Sequence, residues 1–319
     1  MSEAAPPAGG HPSTNPLRGI GLKVLAVLLF VGMAVCIKAS APHVPPGQQV
    51  FFRSFFAIPV ILLWLAWSGG LRHGLDTLYP MGHLWRGLVG TSAMGLGFTA
   101  LGLLPLPEAT ALGYAAPLLF VIFAAMFLGE QVRAFRLSAV AIGLVGVLIV
   151  LWPRLTVDLG GAAAPEALGA MAALLGAVCA ALAQVFVRKL INTEATSAIV
   201  FYFSLTATLL SLTTLPFGLT VPATREALLL VAAGLLGGVG QILLTESYRH
   251  AEAGTIASFE YVSMIFALLL GYLLFDEVPT GPMLAGAALI VAAGLFILWR
   301  ERRLGLQRAN ARKVMTPQG

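Results

Sequence analysis

Glu260 and Arg53 stand inside long apolar stretches of the chain, and an ionisable side chain in hydrocarbon is costly enough that it is a functional candidate by default. Glu260 lies in Ser258-Phe259-Glu260-Tyr261. A carboxyl group there is suited to exchange a proton or to pair with a cationic group of a ligand; its structural alternative is an ion-paired or protonated carboxyl that locks helix packing. Arg53 lies in Phe51-Phe52-Arg53-Ser54, where a fixed guanidinium can bind a carboxylate or phosphate, neutralise a buried acid, or brace neighbouring carbonyls. Tyr114 and Tyr261 each offer an aromatic face and a hydroxyl to a planar ligand, with core packing as the alternative reading. Gln184 and Gln241 are amides within apolar segments, able to line a cavity or to bridge helices by hydrogen bonds.

The elements that must position these groups are ten apolar blocks near residues 20–40, 48–68, 83–104, 107–128, 134–153, 165–189, 197–217, 226–247, 252–275 and 281–300. Each is close to the roughly 20 residues that a helix rising 1.5 Å per residue needs to cross about 30 Å of hydrocarbon. The composition agrees, with 58% hydrophobic and only 10% charged residues and a mean hydropathy of +0.90. Soluble domains do not have this balance. The 35 glycines, including Gly234, Gly237, Gly238 and Gly240, read as surfaces where helices approach closely in lipid. The fold expected is therefore all-α, integral to a membrane, with ten transmembrane helices.

The net charge of +5 does not point to nucleic acid once the basic residues are assigned to loops. With the N-terminus inside, one side of the bilayer receives Arg18, Lys23, Arg72, Arg86, Arg133, Arg136, Arg188, Lys189, Arg249, Arg300, Arg302, Arg303, Arg308, Arg312 and Lys313; the other clearly receives only Arg154 and Arg225. This asymmetry predicts an even number of spans, both termini cytoplasmic, in a bacterial-type inner membrane. Lys38, at the outer end of the first span, is expected to snorkel outward. The first span imitates a cleavable signal peptide, but Lys38 and Pro42 flank the Ala39-Ser40-Ala41 site and argue that it stays.

An offset of 147 residues lays Tyr114 on Tyr261, Glu130 on Glu277, Leu137 on Leu284 and Leu151-Trp152 on Leu298-Trp299; an offset of 150 lays Lys38 on Arg188 and Val50-Phe51-Phe52-Arg53-Ser54 on Val200-Phe201-Tyr202-Phe203-Ser204. The chain reads as two five-span repeats, 17–155 and 163–303, between a Pro, Ala and Gly-rich tail, 1–16, expected to be disordered, and a basic tail, 304–319. Five is odd, so the second repeat enters from the opposite face, an inversion that suits alternating access.

Through Pro107-Glu108-Ala109-Thr110-Ala111, Pro117 and Leu128-Gly129-Glu130, and again Phe275-Asp276-Glu277, Gly286 and Gly294, the chain resembles the EamA-domain proteins of the drug/metabolite transporter superfamily. The resemblance implies a ten-helix bundle whose central cavity is lined by spans 1 to 4 and 6 to 9, with spans 5 and 10 behind. It implies a secondary carrier of a small polar or amphipathic metabolite, such as an amino acid, an organic acid, or a cofactor-like molecule of the S-adenosylmethionine or riboflavin kind. Met264 stands where the first repeat has Pro117, so a kink at Pro117 is expected to be unmatched. Glu260 and Arg53 are expected to form the charged poles of the cavity. Glu108 is expected to cap its helix, Glu130 and Glu277 to order loops, and Glu246 to pair with Arg249.

Other classes fit less well. Cys36 and Cys179 are lone residues, the five histidines are scattered without an HExxH pattern, and no GxxxxGK[ST] loop is present, so no metal, cofactor or nucleotide hydrolysis is expected. The partners expected are a small-molecule substrate, the bilayer, and a proton or exchange counter-substrate; a homodimer is left open. A lipid or lipid-linked sugar flippase is the alternative within transport. A membrane-embedded enzyme or sensor, the alternative outside it, would bring a clustered catalytic set or an appended soluble domain.

Overall fold

Without water to satisfy them, backbone polar groups in a bilayer must bond within helices or closed barrels, and this chain takes the helical solution. The structure, a computed structural model, describes residues 16–70, 74–129, 134–155, 164–190, 193–214, 216, 218–250 and 258–315. Its helices are α1 (Pro16–Ser40), α2 (Pro46–Trp67), α3 (Pro80–Leu103), α4 (Leu106–Gly113), α5 (Ala115–Leu128), α6 (Ala134–Leu155), α7 (Ala164–Leu190), α8 (Thr196–Leu212), α9 (Thr224–His250), α10 (Val262–Phe275), preceded by a 3-10 turn at Ser258–Tyr261, and α11 (Gly281–Met315). α4 and α5 form one span of 23 residues, and with α1, α2, α6, α7 and α9 make six segments long and apolar enough to cross a membrane; α8, α10 and α11 contribute shorter apolar stretches. With α3 these make the ten expected segments. Proline at the first positions of α2, α3 and α4 starts helices where its missing N–H costs nothing.

The strongest pairings run between the repeats. α1 lies along α9 and α3 along α7, which are equivalent pairings under the repeat, while α2 meets α8, α4 meets α10 and α6 meets α11. Each of the last three joins a helix to its own counterpart and so lies on the pseudo-two-fold axis. The glycines of α9 make its seam possible: a Cβ at Gly234 or Gly238 would strike Phe56 or Ala57 and Val60 of α2, and one at Gly240 would press on Phe30 of α1. Trp67, Trp85, Trp152 and Trp299 stay exposed near helix ends, as an aromatic belt at the bilayer interfaces requires.

Two glutamates fasten the ends of the bundle by capping helices from across it. Glu277 accepts the Leu106 N–H at 2.8 Å and lies 2.9 Å from Lys38 Nζ, which in turn donates to the Leu101 and Leu104 carbonyls at 3.2 and 2.6 Å. Anion meets helix start and cation meets helix end, the sense the macrodipole favours. Lys38 therefore does not snorkel outward; the carbonyls ending α3 and the Glu277 carboxylate hold it inside. Glu108 lies buried in the first turn of α4. Glu130 and the Arg249 side chain lie outside the described residues, as do residues 1–15.

Glu194, in the α7–α8 loop, accepts from the Leu78 and Tyr79 N–H groups, both at 2.9 Å, and from the Thr77 hydroxyl at 3.0 Å, with His83 Nε2 at 3.4 Å. Burial alone would raise its pKa, but these donors outweigh that and hold it below the ordinary glutamate value. A depressed pKa contributes stability that is complete above the unfolded value, about 4.3, and disappears as pH falls through the folded one. On acidification below about pH 4.3 the thermal midpoint of the wild type should fall more steeply than that of Glu194→Gln, which at neutral pH should already be less stable by about 1–3 kcal/mol; parallel curves would remove Glu194 from the account.

The spans carrying the tyrosines are interrupted in both repeats. The α4–α5 ladder breaks at Tyr114 and the 3-10 turn gives way to α10 at Tyr261. An unmatched kink at Pro117 was expected; instead Pro117 sits in the first turn of α5, where its lack of an N–H matters little, and the second repeat breaks at the equivalent place without proline. There Ser263 Oγ donates to the Glu260 carbonyl at 2.6 Å, drawing it out of the regular ladder. The symmetry extends to the far ends, where Gly129 and its counterpart Asp276 both close their helices with positive φ.

Candidate functional site

Two cavities open between the repeats. The first, of about 290 Å³, lies among α1, α3, α4 and α7, and its wall is almost entirely small or apolar: Ala34, Ala93, Gly97, Gly113, Ala173 and Gly176 among others. The second, of about 310 Å³, is bounded by Met33, Arg53, Arg86, Gln184, Phe203 and Gln241, among others, from α1, α2, α3, α7, α8 and α9. Ala93, Met94, Phe98 and Ala180 belong to both walls, so the two are neighbouring parts of one space.

Arg53 and Arg86 dominate the second cavity. The Arg86 guanidinium stacks 3.7 Å from the Phe203 ring centre and that of Arg53 approaches the same ring at 5.8 Å. Glycine makes room for both, since a Cβ at Gly90 would come within 2.7 Å of Arg86 Nη1 and one at Gly237 within 3.0 Å of Arg53 Nε. Arg53 Nε, Arg86 Nε and Arg86 Nη1 are buried with no hydrogen-bond partner. Among the described residues, no acidic one lines either cavity. Arg86, expected in a cytoplasmic loop, instead lies within α3, which begins six residues earlier at Pro80, and its side chain enters the bundle.

Lys23, likewise expected at the cytoplasmic surface, is 2% exposed, and it donates to Glu260 Oε2. The Glu260 side chain is 45% exposed and lines neither cavity, so Glu260 and Arg53 are not two poles of one chamber. Lys23 has taken the carboxylate. Lys23 and Lys38 lie about four turns apart on α1, and each meets a glutamate near one end of the α10 segment. The signal in the sequence was position: Lys23 and Arg86 each fall about one turn inside an apolar block, where a loop residue should not be.

Tyr114 and Tyr261 come together away from the arginines. Their rings meet edge to face with centres 5.2 Å apart, and the Tyr114 hydroxyl lies 2.5 Å from Ser263 Oγ and 3.4 Å from the Glu260 carbonyl. Two residues that the repeat makes equivalent can touch only at its axis. They occupy the two helix breaks, so the site residues read from the sequence divide into a cavity set, Arg53, Gln184 and Gln241, and an axial set, Glu260, Tyr114 and Tyr261.

The profile of the EamA-like transporter family matches the chain twice, over residues 17–152 and 167–299. The chain belongs to the EamA-like transporter family. It is thus a multi-pass membrane transporter of the drug/metabolite type, as its two inverted five-helix repeats imply. Among its relatives, the Pseudopaline exporter CntI of Pseudomonas aeruginosa is 32% identical, over 86% of this chain and 94% of that one. An S-adenosylmethionine uptake transporter of Rickettsia felis is 26% identical, over 90% of this chain and 94% of that one. A solved crystal structure 23% identical superposes with a TM-score of 0.65, covering 94% of this chain and 99% of its own, and carries likeness of fold. By their names, one of these relatives exports and the other imports.

Proposed function

We propose that the chain is a secondary carrier of a small polar or amphipathic metabolite, working by alternating access in a bacterial-type inner membrane with both termini cytoplasmic, and driven by a gradient or by exchange. One observation carries this reading. Under the repeat offsets Lys23 corresponds to Ala173 and Glu260 to Gly113. The ion pair occupies one side of the axis, while Ala173 and Gly113 on the other side line an open cavity. Equivalent places are thus closed in one half and open in the other, which is the asymmetry that exchange of two inverted halves requires. Tyr114 and Tyr261, at helix breaks on the axis, are the points about which the two conformations exchange.

The compounds in the relatives' names, pseudopaline in one and S-adenosylmethionine in the other, support a substrate of metabolite size. Purified protein in proteoliposomes, loaded with unlabelled amino acids, organic acids or nucleoside-linked metabolites, should drive counterflow accumulation of the labelled compound that vanishes when the vesicle lumen is osmotically shrunk. Chemical turnover of a compound without movement across the bilayer would instead mark an enzyme.

A further inference from the structure

We propose that Arg53 and Arg86 form an oxyanion clamp and that the substrate is a carboxylate, held by them in the second cavity. The proposal rests on the carrier reading and deepens it. Buried guanidinium nitrogens without a hydrogen-bond partner, as Arg53 Nε, Arg86 Nε and Arg86 Nη1 are, are costly, and two guanidinium groups beside one ring repel one another as well. Elsewhere in the bundle the described interior lysines are matched: Lys23 has Glu260 and Lys38 has Glu277. Arg53 and Arg86 share the Phe203 ring, and no carboxylate among the described residues lines their cavity. A substrate oxyanion completes this site.

The rest of the wall specifies the body attached to that oxyanion. Gln184 and Gln241 supply amide donors and acceptors, and Met33, Met94 and Phe98 supply apolar surface. Each guanidinium is a planar fork that satisfies both oxygens of a carboxylate, so two forks accommodate a dicarboxylate, or one carboxylate held from two sides. A phosphate, with more oxygens to satisfy, would find neither a lysine nor a carboxamide cluster beyond the two glutamines on this wall.

The test is thermal stabilisation of the full chain in detergent by succinate, L-glutamate, citrate and inorganic phosphate, each carboxylate set against its amide or methyl ester. At least one carboxylate should raise the midpoint while its neutral analogue does not. Arg53→Gln and Arg86→Gln should each weaken that response by at least about 30-fold, and Arg86→Lys by less, since charge is kept and the fork is lost. A second measurement needs no variant: the stabilising carboxylate should protect Arg53 and Arg86 of the wild type from phenylglyoxal, read by peptide mass spectrometry. Stabilisation by neutral or cationic compounds alone, by phosphate alone, or by no carboxylate overturns the clamp. Counterflow in proteoliposomes separates the two readings: transport of a non-anionic metabolite would sink the clamp and keep the carrier, whereas absence of vectorial movement for every compound that binds would sink the carrier.

Discussion

Glu260→Gln should destabilise the protein more than Lys23→Met, although both break the same ion pair. The reason lies in where each partner is left. Lys23 is 2% exposed, so removing the carboxylate strands an ammonium inside the bundle. Glu260 is 45% exposed, so removing the lysine leaves a carboxylate that is not enclosed by the protein. Breaking a fully buried pair costs about 3–5 kcal/mol; because only Lys23 is enclosed, about 1–3 kcal/mol is expected for Glu260→Gln and under about 1 kcal/mol for Lys23→Met. The double variant Lys23→Met/Glu260→Gln should recover most of the loss, because a methionine fills the lysine's space without a charge. Thermal midpoints at fixed detergent and pH give the ranking directly. In proteoliposomes, assayed below each midpoint, the double variant should still move substrate at least about tenfold more slowly than the wild type if closing of this half depends on the pair. Equal destabilisation by the two single variants would show that Lys23 reaches solvent after all.

How much of this could be read from the sequence depends on what kind of signal each feature leaves. Span length and apolarity are one-dimensional, and so the ten segments and their inversion were legible; Leu212 closes α8 about a turn early because Thr213 and Thr214 bond back to the Leu210 and Ser211 carbonyls. The coincidence of Tyr114 with Tyr261 under the offset marked the axis, though not that the rings would touch. Charges were harder. The positive-inside rule treats a basic residue near a span end as surface, yet Lys23, Lys38 and Arg86 are drawn inward by a carboxylate, by helix-end carbonyls and by an aromatic ring respectively. Those partners lie on other helices, between about 63 and 237 residues away in the chain, and no local pattern announces them. Arg53 was recognised because it lies deep in its block, and Arg86 was missed because it lies near the edge of its own.

The largest loss of stability should come from enlarging Gly286, because there backbone meets backbone. A Cβ at Gly286 would fall 2.6 Å from the Gly146 carbonyl oxygen and 2.5 Å from Val150 Cγ2; one at Gly146 would fall 2.8 Å from the Gly286 carbonyl oxygen. Neither carbonyl can swing aside without leaving its helix. The crossing of α6 and α11 lies on the pseudo-two-fold axis, so Gly146 on Gly286 has a counterpart in Ala139 and Ala293, both buried, and prying the helices apart at one contact loosens the other. In lipid no water-driven attraction compensates for a lost close approach. Gly286→Ala should therefore cost about 1–3 kcal/mol and Gly286→Leu more, seen as a lowered midpoint and a loss of monodisperse protein in detergent. Gly281, at the start of the same helix, has nothing within 4 Å of a Cβ, and Gly281→Ala should be neutral or stabilising by up to about 1 kcal/mol. Both substitutions add one methyl group to α11, and helix propensity favours the interior Gly286→Ala at least as much as Gly281→Ala at the first position, so a lower midpoint for Gly286→Ala isolates the crossing. Should the two variants melt together, α6 and α11 do not approach as closely as these positions require, and the axis through Tyr114 and Tyr261 loses its second anchor.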